Sequence, residues 1–381
     1  MQFRDIVGQD AVKQRLLNSV KENRVSHAQL FLGPEGSGSL PLAVAYGQYL
    51  SCEDKQPDDS CGVCSSCRKY QKLMHPDLHF SYPFFAKHKE DTALTFIEQW
   101  REAFLNNPYL NLDTWREYLD AENKQANINI AECHQIIKKL SFKPFESPYK
   151  VLILWLPEYL DKEGNALLKI IEEPQPNTLF LLVAQNQDQI LNTILSRTQL
   201  IKISRLSYND IKDYLVEKHN QTEEAAAGIA YLCDGNLSEA LTMLQQDNNG
   251  YHGLFVNWLR LCFANKGIEM MRLVEQISKL GRENQKNFLR YGINFLRECC
   301  LVLSGAASLV HLPAAELETA QKMTNVMDIQ QAQDIVGELE KAHYHVERNA
   351  NPKILFLDVS LQIIKILNLT IRQVRTPYMP N

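Results

Sequence analysis

The chain has 381 residues, more than one ordinary hydrophobic core holds, so two or three domains are expected. It is 45% hydrophobic and 22% charged with a formal net charge of −5, which excludes the overall basic field of an independent nucleic-acid binder. No apolar run reaches the length of a membrane span, and Met1–Asp5 has no signal-peptide core, so a cytoplasmic location without a membrane partner is expected.

In chain order, Val12, Leu16, Leu17 and Val20 recur at helical spacing, and Leu30-Phe31-Leu32 is a short buried strand. Gly33–Leu40 follows as a glycine-rich turn leading into a helix, and cysteines cluster over 52–67. Residues 77–127 are rich in aromatic and polar side chains, with Phe96, Ile97, Trp100 and Phe104 on one helical face. Asn129 is placed to cap a helix carrying Ile130, Cys133, Ile136, Ile137 and Leu140. Val151–Leu156 and Leu179–Val183 are continuous apolar runs, as strands buried on both faces of a parallel sheet require. Between them a helix through Asn165–Glu173 stops at Pro174. A further helix ends near Ser196-Arg197-Thr198, before the strand Leu200–Ile203. Strands alternating with helices give an α/β domain with a parallel sheet. From the capping-box pair Ser207 and Asp210 onward only helical patterns occur, broken by a linker at Asp247-Asn248-Asn249-Gly250 and ending in a polar tail.

Gly33-Pro34-Glu35-Gly36-Ser37-Gly38-Ser39-Leu40 has glycines where a phosphate-binding loop needs them. A working loop ends Gly-Lys-Ser/Thr, the lysine reaching the β- and γ-phosphates and the hydroxyl ligating magnesium. Here Gly38 is followed by Ser39 and Leu40, which offer neither a charge nor a metal ligand. Gly33, Gly36, Gly38 and Ser39 are therefore the remnant of a cofactor site, expected not to support hydrolysis of ATP; whether nucleotide still binds there is left open.

Nine cysteines in a reducing compartment need a reason other than disulfides. Cys61-x2-Cys64-x2-Cys67, with Cys52 nine residues upstream, supplies four thiolates in a short segment, the donor set of a closed structural Zn²⁺ site. An iron–sulfur run begins alike but wants a fourth cysteine at 71 followed by proline, where the chain has Gln71-Lys72. His75-Pro76-Asp77 reads as a turn after this module, and His27 as structural.

Three stretches together resemble the bacterial clamp-loader subunits, most of all the delta-prime group of DNA polymerase III. They are Phe3–Gln9 with His27-Ala28 and the Gly33–Leu40 loop; Cys52 with Cys61–Cys67; and Tyr149–Val151 through Asn165–Lys169 and Glu172-Glu173-Pro174 to Ile194–Arg197. The resemblance covers most of 1–205, with about 80–127 as an insertion, and is weak beyond. It implies a P-loop-type AAA+ fold: an α/β domain over 1–205 with the zinc module at 52–67, a small helical lid over 206–247, and an all-helical collar over 248–381 that joins subunits into a ring. The family's Asp-Glu pair aligns with Leu154 and Trp155, its γ-phosphate sensor with Ala184-Gln185, and its sensing arginine with Ser238. Glu158 lies nearby but out of register. Ser196-Arg197 matches the family's Ser-Arg-Cys element, with Thr198 in place of the cysteine.

The resemblance thus implies a subunit of the replicative DNA polymerase III holoenzyme that does not itself hydrolyse ATP. Arg197, supported by Ser196, would act in trans as an arginine finger on a neighbouring ATP-binding homologue. The ring, with a clamp-opening subunit, would then place a sliding clamp on primed DNA, which it contacts non-specifically through phosphates. Two alternatives stand beside it: a weakly active ATPase of the same fold, and a zinc-containing nucleic-acid-binding protein, which Glu53, Asp54, Asp58 and Asp59 around the cysteines disfavour.

Overall fold

The computed structural model describes residues 1–121, 124–245, 249–306, 310, 312–323 and 325–374. They form two compact units: Met1–Asn220 with Cys233–Leu241, and Gln221–Leu232 with the chain from Thr242 onward.

The first unit is a parallel α/β sheet with helices on both faces. In chain order it holds α1 (Asp10–Lys21), β1 (Ala28–Leu32), α2 (Ser39–Ser51), α3 (Ser65–Gln71), β2 (Leu78–Ser81), α4 (Ile97–Asn106), α5 (Leu112–Tyr118) and α6 (Ile130–Leu140). There follow β3 (Lys150–Trp155), α7 (Leu168–Glu172), β4 (Thr178–Ala184), α8 (Asn192–Leu195), β5 (Gln199–Lys202) and α9 (Tyr208–His219). The strand order is β2-β3-β4-β1-β5, every pair parallel, with Trp155 opposite Val183 and Phe31 opposite Val183 on its other side. β3 and β4 are buried along their whole length, which is why their sequences are continuous apolar runs rather than alternating ones.

The pleat divides those strands between two cores. Phe31, Val151, Ile153, Trp155, Leu179, Leu181 and Val183 face α2 and the insertion. Leu30, Leu152, Leu154, Phe180, Leu182 and Ala184 face the α6, α7 and α8 side. Helix α2 is buried at all thirteen positions, so it has no solvent face, and its few polar side chains, Gln48 and Ser51 among them, are hydrogen-bonded inside.

Asn129 caps α6 by accepting from the Glu132 N–H, and Ser207 with Asp210 closes a capping box on α9. The Phe96/Trp100/Phe104 stripe packs into the core on one face of the sheet. Trp100 stacks on Tyr82 at 4.0 Å between centroids, meets Trp115 edge-on at 5.4 Å, and lies 5.2 Å from Trp155 of β3. The insertion is closed where it leaves and rejoins the domain by two mutual backbone bonds between Phe84 and Asn127.

Three local readings differ. Leu78–Ser81, placed in an aromatic and polar segment, is an edge strand of the sheet. The expected helix over 165–173 is a 3-10 turn to Leu167 continued by the short α7. Of the expected linker, Asp247 and Asn248 lie outside the described residues, whereas Asn249 and Gly250 open a helix. The polar tail from 375 lies outside them too.

The remaining helices are α10 (Glu223–Leu232) and α11 (Leu237–Gln245), then α12 (Asn249–Phe263), α13 (Gly267–Ser278), α14 (Arg282–Leu303), α15 (Ala314–Met323), α16 (Ile329–Glu347) and α17 (Pro352–Val374). The second unit has its own aromatic core of Phe255, Trp258, Phe288, Phe295 and Phe356. Its Trp258 indole donates to Ser360 Oγ at 2.8 Å, so the buried N–H is satisfied.

Candidate functional site

The structure gathers the glycine-loop residues into one turn. Gly33 leaves β1, and Gly36 and Gly38 adopt positive φ (70° and 88°), a conformation that costs other residues energy. Gly38 is the N-cap of α2, and no side chain caps the helix. The Ser37 and Ser39 hydroxyls bond each other at 2.9 Å. Gln9 donates from Nε2 to the Ser37 carbonyl at 3.0 Å and to the Ser204 carbonyl at 2.7 Å, tying the loop to the chain that follows β5.

Three residues that sequence reasoning did not assign to this loop close over it. Tyr109 of the insertion is 6% exposed, and its hydroxyl accepts the Val7 N–H at 3.0 Å. Asn111 and Asn236 both donate to Glu35 Oε1, at 3.0 and 3.2 Å. The Leu237 N–H, at the start of α11, donates to the Gly36 carbonyl at 3.2 Å. Asn111 also caps α5, accepting the Thr114 N–H at 2.8 Å, and nothing local in the sequence marks either it or Tyr109 for this loop.

At the end of β3, Leu154 and Trp155 are buried side chains in the two cores. Glu158 accepts the N–H groups of Gln185 and Asn186 at 2.6 and 2.9 Å, clasping the end of β4. Burial pushes its carboxyl up, against the lowering effect of those two donors.

The four cysteines come together. Their sulfurs all lie within 4.8 Å of one another. Cys52 ends α2, Cys64 is the N-cap of α3, and Gly62 takes the turn between them. Backbone N–H groups of Cys61, Cys64 and Cys67 point to Cys52, Cys61 and Cys64 Sγ at 3.3, 3.3 and 3.4 Å. Donors on sulfur favour thiolate over thiol. The cluster can hold a metal ion, and four soft donors in a tight group suit a tetrahedral one. The N-terminus is fastened to this loop. Asp59 accepts the Phe3 and Arg4 N–H groups at 3.0 and 3.1 Å, and Gln2 Nε2 donates to the Ser60 carbonyl.

His75 and Asp77 form a support beside the cluster, not a ligand pair. The buried Asp77 accepts N–H groups from Phe145, Glu146 and Ser147 at 2.5, 2.8 and 2.8 Å. Burial alone would raise its carboxyl, but these donors outweigh it and hold the group below the usual range. His75 Nδ1 accepts the Asp77 N–H at 3.1 Å, and burial lowers its imidazole toward the neutral form. His27 Nε2 bonds the Ile171 carbonyl at 3.0 Å, a structural contact as expected.

Ser196 and Arg197 stand just beyond α8. The guanidinium donates from Nε to Glu172 Oε2 at 3.0 Å, and from an Nη to the Thr193 carbonyl at 3.0 Å and to Ser196 Oγ at 3.3 Å. The side chain stays 32% exposed, so it is oriented yet reachable.

The family described as "DNA polymerase III, delta subunit" matches residues 8–207, more than half of the chain. The chain belongs to that family. Among curated relatives, the tau subunit of Bacillus subtilis (strain 168) DNA polymerase III is 23% identical over 96% of this chain and 61% of its own length. The delta' subunit of the same organism is 25% identical over 63% of this chain and 60% of its own. The chain thus spans less than two thirds of the length of these relatives. A solved DNA polymerase III gamma subunit-related protein from Thermotoga maritima aligns over 92% of this chain and 99% of its own, at 14% identity and a TM-score of 0.37. This chain combines a glycine turn with side chains packed over it, a four-cysteine cluster and a tethered arginine. No helix among the described residues is long and apolar enough to cross a membrane.

Proposed function

We propose that this chain is a delta-prime-type clamp-loader subunit that hydrolyses no ATP and serves the chemistry of a neighbour. The observation that carries the reading is Arg197. Its side chain is 32% exposed and is held by Glu172, Thr193 and Ser196, in a subunit with serine and leucine where the phosphate-binding lysine and hydroxyl belong. A guanidinium reaching across a subunit boundary neutralises charge on a transferring phosphoryl group, worth about 10³–10⁵ in rate in other nucleotide hydrolases. Ser196 keeps the arginine in place.

In this reading the partners are ATP-binding homologues, a clamp-opening subunit, a sliding clamp and primed DNA, the last met through phosphates. Residues 1–205 form the AAA+ domain, 206–247 the lid and 248–381 the ring-forming collar. The metal of Cys52, Cys61, Cys64 and Cys67 is structural Zn²⁺. Bound there, it would cross-link the segment that holds the N-terminus and leave no open position for chemistry.

The test is ATP turnover by the purified chain, by its nucleotide-binding partner subunits, and by the assembled ring with clamp and primed DNA. The reading expects none from the chain alone, and partner turnover that rises when the chain joins. Turnover by the isolated chain, abolished by Gly38→Asp, would establish the weakly active ATPase instead.

A further inference from the structure

We infer that the nucleotide position over the phosphate loop is filled by the chain's own insertion, with Pro108-Tyr109-Leu110 as a built-in plug. The cavity bounded by the Gly33–Pro41 loop, Pro108–Leu110, Trp155 and Val183–Gln185 has a volume of only 30 Å³. Sites for drug-sized ligands run to roughly 300–1,000 Å³, and a single water needs about 10–15 Å³. The space therefore holds a water or two and no triphosphate.

What fills it is specific. The Tyr109 ring lies against the loop backbone, its Cε1 only 3.2 Å from where a β-carbon on Gly38 would stand. Its hydroxyl is committed to the Val7 N–H, and burial pushes the phenol up, so it stays protonated and uncharged. On the other side of the loop, a β-carbon on Gly36 would fall 1.9 Å from Asn236 Oδ1, so no ligand atom fits between them. Glu35 adds a carboxylate to a turn whose helix N-terminus would otherwise attract an anion, and Asn111 and Asn236 hold that carboxylate in place.

The plug is anchored from below. Trp155 lines the cavity and packs on Trp100, while Trp100 meets Trp115 in α5, the helix that Asn111 caps. The aromatic residue at the end of β3, where the family resemblance places a metal-binding carboxylate, is thus the floor on which the insertion is built. The residue standing in the carboxylate's place and the insertion above it form one packed unit that closes over the loop.

This inference rests on the reading that the chain does not turn over ATP, but binding to the isolated chain tests it without involving Arg197. Mg²⁺-ATP binding is measured by calorimetry on the full chain as wild type, as S39K/L40T, and as S39K/L40T with Tyr109→Ala. The first two are expected to bind no ATP at millimolar concentration. The third is expected to bind at least about tenfold more tightly than the second. Binding by S39K/L40T with Tyr109 in place would overturn the plug. So would equal weakness of the third variant when its circular dichroism and melting match wild type. Tyr109→Phe gives a separate check: it keeps the ring, and exchange of the Val7 amide should accelerate severalfold. An unchanged Val7 exchange rate would remove the hydroxyl from the account.

Discussion

Arg197 Nε lies 3.0 Å from Glu172 Oε2, joining the residue beyond α8 to the last residue of α7. Glu172 is itself 58% exposed, so the pair adds little to stability, about 0–1 kcal/mol. Its effect is geometric, since it fixes the fork of a long, flexible side chain. Glu172→Gln should leave the melting temperature unchanged and lower ring ATP turnover a few-fold. Turnover equal to wild type would show that the Thr193 carbonyl and Ser196 suffice to aim the guanidinium.

Asp77 sets an acid limit on the first unit. Its carboxyl is held below the ordinary aspartate value, so the folded state binds its proton less readily than the unfolded chain does. The contribution is complete above the unfolded pKa of about 3.9 and lost as pH falls through the lower folded value. His75, His79, Glu146, Lys150 and Tyr70 share the field around it. Asp77→Asn should therefore cost about 2–3 kcal/mol at pH 7 and flatten the dependence of urea midpoint on pH below about 4. Parallel wild-type and variant curves through that range would assign the acid sensitivity elsewhere.

Metal analysis of the purified chain should find one zinc per molecule, and Cys64→Ser should lose it. Because Asp59 and Ser60 hold Gln2, Phe3 and Arg4, removal by a chelator should speed amide exchange over residues 3–6 as well as around the cysteines. Exchange confined to 52–67 would mean that the N-terminal segment is held without the metal.

Trp100 joins the insertion to the sheet through Tyr82, Trp115 and Trp155. Trp100→Ala leaves a cavity among buried rings and should cost about 3–5 kcal/mol, read as a fall in urea midpoint. A loss under about 1 kcal/mol would show an insertion that packs independently of β3.

The sequence displayed those features whose cause is local. β3 and β4 are legible because a strand buried on both faces must be apolar throughout, and the caps at Asn129 and Ser207 because they act within one turn. The cysteine cluster is legible because its spacing is its chemistry. β2 was hidden: Leu-His-Phe-Ser is four residues long, and its place in the sheet is decided by pairing with β3. The closure of the loop was hidden for the same reason. Tyr109 and Val7 are 102 residues apart, and no periodicity encodes a contact made only when the insertion folds back over the loop.

The most direct measurement is ATP turnover of the ring carrying Arg197→Ala, at matched assembly, with clamp and primed DNA present. The account predicts a fall of at least about tenfold at the neighbour's site with the ring intact. Wild-type turnover in that variant would contradict it and leave this chain a purely structural member of the ring.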